Sequence, residues 1–307
     1  MRATCLKEIH QLARRDPRVV FVGSDLGTGT LDPMRKEFPE RFFMEGISEQ
    51  HLLGLAAGLA MDGWIVYVNT IASFLVRRAL DQLVIDCCLQ NLPVRLVGNG
   101  GGLVYAPLGP THQITEDLAV LRAVPNMSIL VPADAEEMAR LMPQTLDWPG
   151  PLYIRLAKGY DPVVSSAELP ARIGKGVPIA HGRDALLVTT GITLGLARAA
   201  REMLATEGLD AGILHMHTVK PLDAQLLLDL AGPVRAVLTV EEHSILGGLG
   251  GAVAELLAEW EGFAGKRFRR LGLPDAFPDR YGSQASLLER HGLTPAHLAA
   301  ATRELCR

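Results

Sequence analysis

Glu49-Gln50-His51-Leu52-Leu53-Gly54-Leu55-Ala56-Ala57-Gly58-Leu59-Ala60-Met61 leads through Asp62-Gly63-Trp64 into Ile65-Val66-Tyr67-Val68-Asn69. The first part is rich in Ala, Gly and Leu and nearly all apolar, which predicts a buried helix. The second part is a short apolar run and predicts a strand. One long helical pattern feeding one short apolar run is the unit of a parallel α/β sheet. The alternation repeats on both sides, with strands predicted at 19–23, 94–98, 128–131 and 152–156 and helices at 2–14, 74–90, 116–124 and 135–146. Pro132-Ala133-Asp134 marks the last helix start, with Asp134 placed to accept its first free amides. From 161 to 182 Pro162, Pro170, Gly174, Gly176 and Pro178 break the pattern, as in a linker. A second α/β unit follows, with strands expected at 186–190, 212–216 and 236–240 and helices at 193–207, 252–261 and 295–305. The expected fold class is therefore α/β in two domains, 1–160 and 183–307, each a mostly parallel sheet flanked by helices.

Bulk properties narrow the function. A chain of 307 residues, 48% hydrophobic, can bury a core in each domain. Its formal net charge of −4, with no basic run, makes nucleic acid a poor partner. No apolar stretch reaches the ~18 residues of a membrane span. Lys7 and Glu8 interrupt the start with charge where a secretory signal would be apolar. Cys5, Cys87, Cys88 and Cys306 lack zinc-ligand spacing and read as small buried residues. Together these predict a soluble, cytoplasmic protein. His215 and His217 share one face of a strand, but no third metal ligand accompanies them.

Several residues combine chemistry with position. Ser48 could cap the 49–61 helix, with Glu49 in its first turn at the positive dipole end. A carboxyl at the mouth of a buried helix is expected to hold its proton to higher pH, which suits proton transfer to a heterocycle. Phe74 opens the next helical pattern, and Arg77, one turn on, would face the same cleft. His112 follows Thr111, a plausible helix cap. Gly247-Gly248-Leu249-Gly250-Gly251 precedes a helix but lacks the full dinucleotide spacing.

Five segments carry a resemblance. Phe43-Met44-Glu45-Gly46-Ile47-Ser48-Glu49-Gln50-His51 resembles the segment holding the activating glutamate in transketolases and deoxyxylulose-phosphate synthases. Ser73-Phe74-Leu75-Val76-Arg77-Arg78-Ala79-Leu80-Asp81-Gln82 is similar to the helix start whose aromatic packs on the aminopyrimidine, and Gly109-Pro110-Thr111-His112-Gln113 to the active-site histidine loop. The stretches at 217–223 and 240–248 resemble the family's C-terminal domain. The chain thus looks like the C-terminal half of a transketolase, a pyrimidine-binding domain followed by the transketolase C-terminal domain. The resemblance implies that Glu49 and His112 are catalytic and that Glu49, Phe74 and Arg77 contact thiamine diphosphate (thiamine pyrophosphate). It also implies that Arg2, Thr28, Leu108, His112 and Lys158 line the substrate side, and that Gly23–Gly29 forms part of its wall.

The pattern departs in two places. The family holds the diphosphate through a divalent metal on a Gly-Asp-Gly segment and a downstream asparagine, and this sequence contains no Gly-Asp-Gly. The resemblance then implies a split enzyme, with Mg2+ or Ca2+ and the diphosphate held mainly by a second transketolase subunit. The isolated chain is expected to form a homodimer, and the full enzyme an α2β2 heterotetramer of carbohydrate metabolism. On the substrate side Leu108 stands where transketolases carry an acid, Gly100–Gly102 where relatives place polar or charged contacts, and Lys158 where an arginine is usual. The expected activity is transfer of a two-carbon ketol unit from a ketose to an aldehyde, the acceptor being a modified or unphosphorylated carbonyl compound. The alternatives are a 2-oxo acid dehydrogenase beta-type subunit, a deoxyxylulose-phosphate synthase-like ligase, and a non-catalytic α/β scaffold. The Gly109–Gln113 loop favours the transketolase side, and joint retention of Glu49, Phe74 and His112 speaks against a scaffold.

Overall fold

In the computed structural model, which describes residues 1–27, 29–157 and 161–307, the apolar runs become two separate sheets. Strands β1 (Val19–Gly23), β2 (Phe42–Met44), β3 (Ile65–Ile71), β4 (Val94–Asn99), β5 (Ser128–Leu130) and β6 (Leu152–Leu156) belong to the first. The second holds β7 (Val177–Ala180), β8 (Ala185–Thr189) and β9 (Ala211–His215); after β10 (Thr218–Lys220) it adds β11 (Ala236–Ser244) and β12 (Arg267–Leu273). The first sheet runs β10-β5-β6-β4-β3-β1-β2 and the second β12-β11-β8-β9-β7. Every pairing is parallel except β10 on β5 and β7 on β9, both at sheet edges. The expected class, two mostly parallel sheets flanked by helices, is what forms.

Period-two alternation explains why both faces need helices. Val20, Val22, Val66 and Val68 pack with Leu52, Leu53 and Ala56 of the Glu49–Met61 helix. Phe21 and Tyr67, pointing the other way, pack with Leu6 and Ile9 of the Arg2–Arg15 helix. Full burial of a side chain such as Leu52 contributes about 1.5–3 kcal/mol.

Three features differ from the expected layout. The helix expected at 74–90 is interrupted: Phe74–Arg78 and Leu83–Cys88 are π-helical turns around a short α-turn, Leu80–Gln82. β7 falls inside the stretch expected as a linker. β10, from the second half of the chain, completes the first sheet, pairing Thr218 with Leu130. The Asp134 cap forms as expected, accepting the Glu137 amide at 2.9 Å. The same carboxyl takes the Val164 and Ser165 amides at 2.8 and 2.6 Å, fastening the connecting segment to the first domain.

Candidate active site

Ligands of open parallel sheets bind beyond the carboxyl ends of the strands, and the chemistry-bearing residues collect beyond β1 to β4. Glu49 is 1% exposed. Its Oε1 accepts from the Thr70 hydroxyl at 3.2 Å and its Oε2 from Arg78 at 2.7 Å. Ser48 occupies the N-cap position without capping, because its hydroxyl turns back to donate to the Glu45 carbonyl at 3.2 Å. The Arg78 guanidinium also lies 4.4 Å over the centroid of Phe74, within the range of a cation–π contact. The His112 ring stands edge-on to the same phenylalanine at 5.1 Å. Arg78 and Phe74 therefore link Glu49 to His112, and a planar N–H donor already lies on the aromatic face and bonds the Glu49 carboxyl group. An aminopyrimidine ring needs those two contacts, so the residues present fit it.

Arg77 is engaged elsewhere. It is ion-paired with Glu116, to which its Nη2 donates at 2.9 Å, and its Nη1 donates to the Pro110 carbonyl at 3.2 Å. The wider π-turn explains the exchange of roles, since it carries the residue above Phe74 one position further along the chain. Arg78 was missed for that reason, although its spacing of four from Phe74 is visible in the sequence. Thr111 starts no helix; its hydroxyl bonds His112 Nδ1 at 2.9 Å.

Tyr105, also absent from the sequence reading, stands edge-on to His112 at 6.4 Å. Burial pushes its phenol up, while neighbouring Arg2 pulls the other way, so the structure brings Arg2 to this mouth. Leu108 is 50% exposed on the same loop. Thr28 and Lys158 lie outside the described residues. Gln113 is buried, and neither its amide oxygen nor its nitrogen has a partner.

The glycine run at 100–102 has a structural cause. A Cβ on Gly100 would lie 2.1 Å from the Tyr105 ring, one on Gly101 2.5 Å from Arg155, and one on Gly102 2.5 Å from the Glu242 carboxyl carbon. Behind them, buried Asp117 accepts from Arg155 Nε at 2.7 Å, Arg155 Nη2 at 3.1 Å and the Tyr153 hydroxyl at 2.8 Å. Burial raises the Asp117 pKa, but the charges of Arg155 and His243 outweigh it and hold the carboxyl below its ordinary value.

The remaining candidates have internal partners. Glu241 takes the Leu249 and Gly250 amides, both at 2.8 Å, filling the helix start that follows the glycine loop. His215 bonds Thr189 at 3.0 Å and Glu137 at 3.1 Å. Burial pulls His217 down to about 4. Among the described residues no group of three or more His, Cys, Asp or Glu could hold a metal ion, and no helix is long and apolar enough to cross a membrane.

Comparison with known proteins gives two family matches, the transketolase pyrimidine binding domain over residues 1–160 and the transketolase C-terminal domain over 174–298. A 1-deoxy-D-xylulose-5-phosphate synthase of Geobacter sulfurreducens is 39% identical over 95% of this chain and 46% of its own length. A putative transketolase C-terminal section of Methanocaldococcus jannaschii is 35% identical over 94% of this chain and 90% of its own length. The structure of a split gene transketolase, an inactive beta4 tetramer, superposes with a TM-score of 0.91 at 36% identity, covering 100% of this chain and 99% of that one. The chain spans about half the length of the synthases it matches.

Proposed function

The chain belongs to the transketolase family, and from that premise we propose that it is the pyrimidine-side subunit of a thiamine diphosphate-dependent transferase. It moves a two-carbon ketol unit from a ketose to an aldehyde, together with a second subunit that holds the diphosphate and its Mg2+ or Ca2+. The observation that carries this reading is the buried Glu49 carboxyl group joined through Arg78 to the Phe74 face, against which the His112 ring stands.

When bound, the cofactor would supply an acidic ring carbon for chemistry at a carbonyl. This chain's residues manage its ring and the protons. Glu49 would hold the cofactor's pyrimidine ring, and the Thr70 hydroxyl keeps its carboxyl group oriented. Phe74 fixes the ring plane by offset or edge contact. His112 relays a proton at the substrate oxygen as a general acid or base. Arg77 and Glu116 brace the Gly109–Gln113 loop, and Arg2 beside Tyr105 offers a positive end for an anionic substrate group. Leu108 presents no hydrogen-bonding group, so the acceptor lacks a hydroxyl that this loop must recognise.

The split gene structure and the C-terminal-section relative support a separate second chain, and the beta4 state of the former supports self-association of the isolated subunit. Two copies of each chain form the complete enzyme. A second reading, a deoxyxylulose-phosphate synthase-like ligase, is favoured by the 39% identical synthase. Donor choice separates the two, because a 2-oxo acid donor releases carbon dioxide and a ketose donor does not.

The test of the site is Glu49→Gln in the two-chain enzyme. Exchange of the thiazolium C2 proton for deuterium, followed by NMR, should slow by orders of magnitude with the fold intact. Exchange at the wild-type rate would remove Glu49 from the chemistry.

A further inference from the structure

The loop bearing Tyr105, Leu108 and His112 leaves β4 and returns through a narrow neck. Gly102 and Ile114 close the neck with reciprocal amide–carbonyl bonds of 2.9 and 3.1 Å. β11, in the second domain, holds both arms. On the outgoing arm the Leu103 amide donates to Glu242 Oε1 at 2.9 Å. On the returning arm the Ser244 amide donates to the Thr115 carbonyl at 2.7 Å. Gln284 donates to the same Glu242 oxygen at 2.8 Å, and Arg155 donates to the Glu242 carbonyl at 3.0 Å.

We propose that Glu242 is a positioning residue for His112, gripping the Leu103 amide so that the second domain sets the geometry of the histidine loop. The proposal rests on the reading of His112 given above. A carboxyl group suits the task, because one of its oxygens accepts from two converging donors, the Leu103 amide and Gln284. The site admits nothing bulkier between the partners, since Gly102 has φ +66° and lies against the Glu242 carboxyl.

The groups around Glu242 leave it for this role. Arg155 faces it from β6 but is bonded to Asp117. On its own strand Glu241 is engaged by the Leu249 and Gly250 amides. His243 lies between the Ser244 carbonyl, at 2.7 Å, and the Ala119 amide, at 3.2 Å. Burial pushes the Glu242 carboxyl up to about 7, against the pull of Arg155, Gln284 and Leu103. The closed loop therefore favours the protonated carboxyl, and the grip loosens as pH rises through neutrality and a buried charge forms.

Hydrogen–deuterium exchange of the full chain reads the loop directly. Glu242→Ala should speed exchange of the 103–113 amides at least about tenfold and leave the 49–61 helix unchanged. Glu242→Gln, which keeps a carbonyl acceptor, should stay within about threefold of wild type at pH 6 and lack the loss of protection that wild type shows between pH 6 and 8. In the two-chain enzyme Glu242→Ala should lower kcat more than KM, and Glu242→Gln should restore most of the loss. Unchanged loop exchange in Glu242→Ala overturns the proposal. If that variant fails to fold, a pH step in Glu242→Gln equal to the wild-type step overturns it instead. His112→Ala with full activity would remove the catalytic reading of His112 while leaving the loop exchange as described, so the two failures are distinguishable.

Discussion

Replacing Glu242 by Gln should make the protein more stable at pH 8 and leave it nearly unchanged at pH 5. The Glu242 carboxyl is 4% exposed, and burial raises its pKa from 4.5 to about 7. The folded protein keeps this proton to a higher pH than the unfolded chain does. Between those two values the unfolded state binds fewer protons, so stability falls as pH rises and levels off above about 7. Each pH unit between the two pKa values corresponds to about 1.4 kcal/mol, which puts the full step on the order of 3 kcal/mol. Glutamine has no proton to lose and presents the same carbonyl to the Leu103 amide. Urea unfolding of both proteins at pH 5, 6, 7 and 8 would show the difference growing across the series, with m unchanged. Parallel stability curves would mean that Glu242 is ionised throughout, and that Arg155, Gln284 and the Leu103 amide outweigh its burial.

Asp117→Asn leaves the Arg155 guanidinium buried without its carboxylate and should cost about 3–5 kcal/mol in urea unfolding at neutral pH. The deficit should fade as pH falls through the acid range, where wild type loses the same ion pair because the Asp117 pKa is held low. Arg78→Gln clears the cation from the Phe74 face and from Glu49 Oε2. In the two-chain enzyme, stopped-flow fluorescence should show thiamine diphosphate associating several-fold faster, and an unchanged rate would mean the guanidinium does not obstruct the ring. Leu108→Asp should shift preference among hydroxyaldehyde acceptors, because the new carboxylate can accept from a substrate hydroxyl where leucine cannot, a bond contributing about 0.5–1.5 kcal/mol. Cofactor affinity, measured by calorimetry, should stay the same.

What the sequence disclosed depends on how local the cause is. The Glu49–Met61 helix and the strands at Val19–Gly23 and Leu152–Leu156 form with their expected bounds, since composition over a short window decides them. β7, β10 and β12 have no counterpart among the strands expected from the sequence. Two of these are short edge strands added in antiparallel fashion, with too few residues for a periodic signal. β10 joins the sheet of the other domain, which only the tertiary fold could determine. Glu49, Phe74 and His112 were legible because each sits in a contiguous motif, whereas Thr70, Arg78, Tyr105 and Glu116 matter through partners distant in the chain.

The glycines at 100–102 show why the seam between the domains was the least legible part. Read alone, the run looked like a place where polar substrate contacts had been lost. Its neighbours are instead Tyr105 from the loop itself, Arg155 from β6 and Glu242 from β11. A glycine in sequence marks a space that a side chain cannot enter, and what fills that space is set by elements far along the chain. Here three different elements fill it, one of them from the second domain. The missing side chains are therefore poor evidence about the acceptor, and Leu108, exposed on the same loop, is left as the better guide to it. The run also gains a role that its composition did not suggest, since it lets the carboxylate of Glu242 reach the backbone that supports His112.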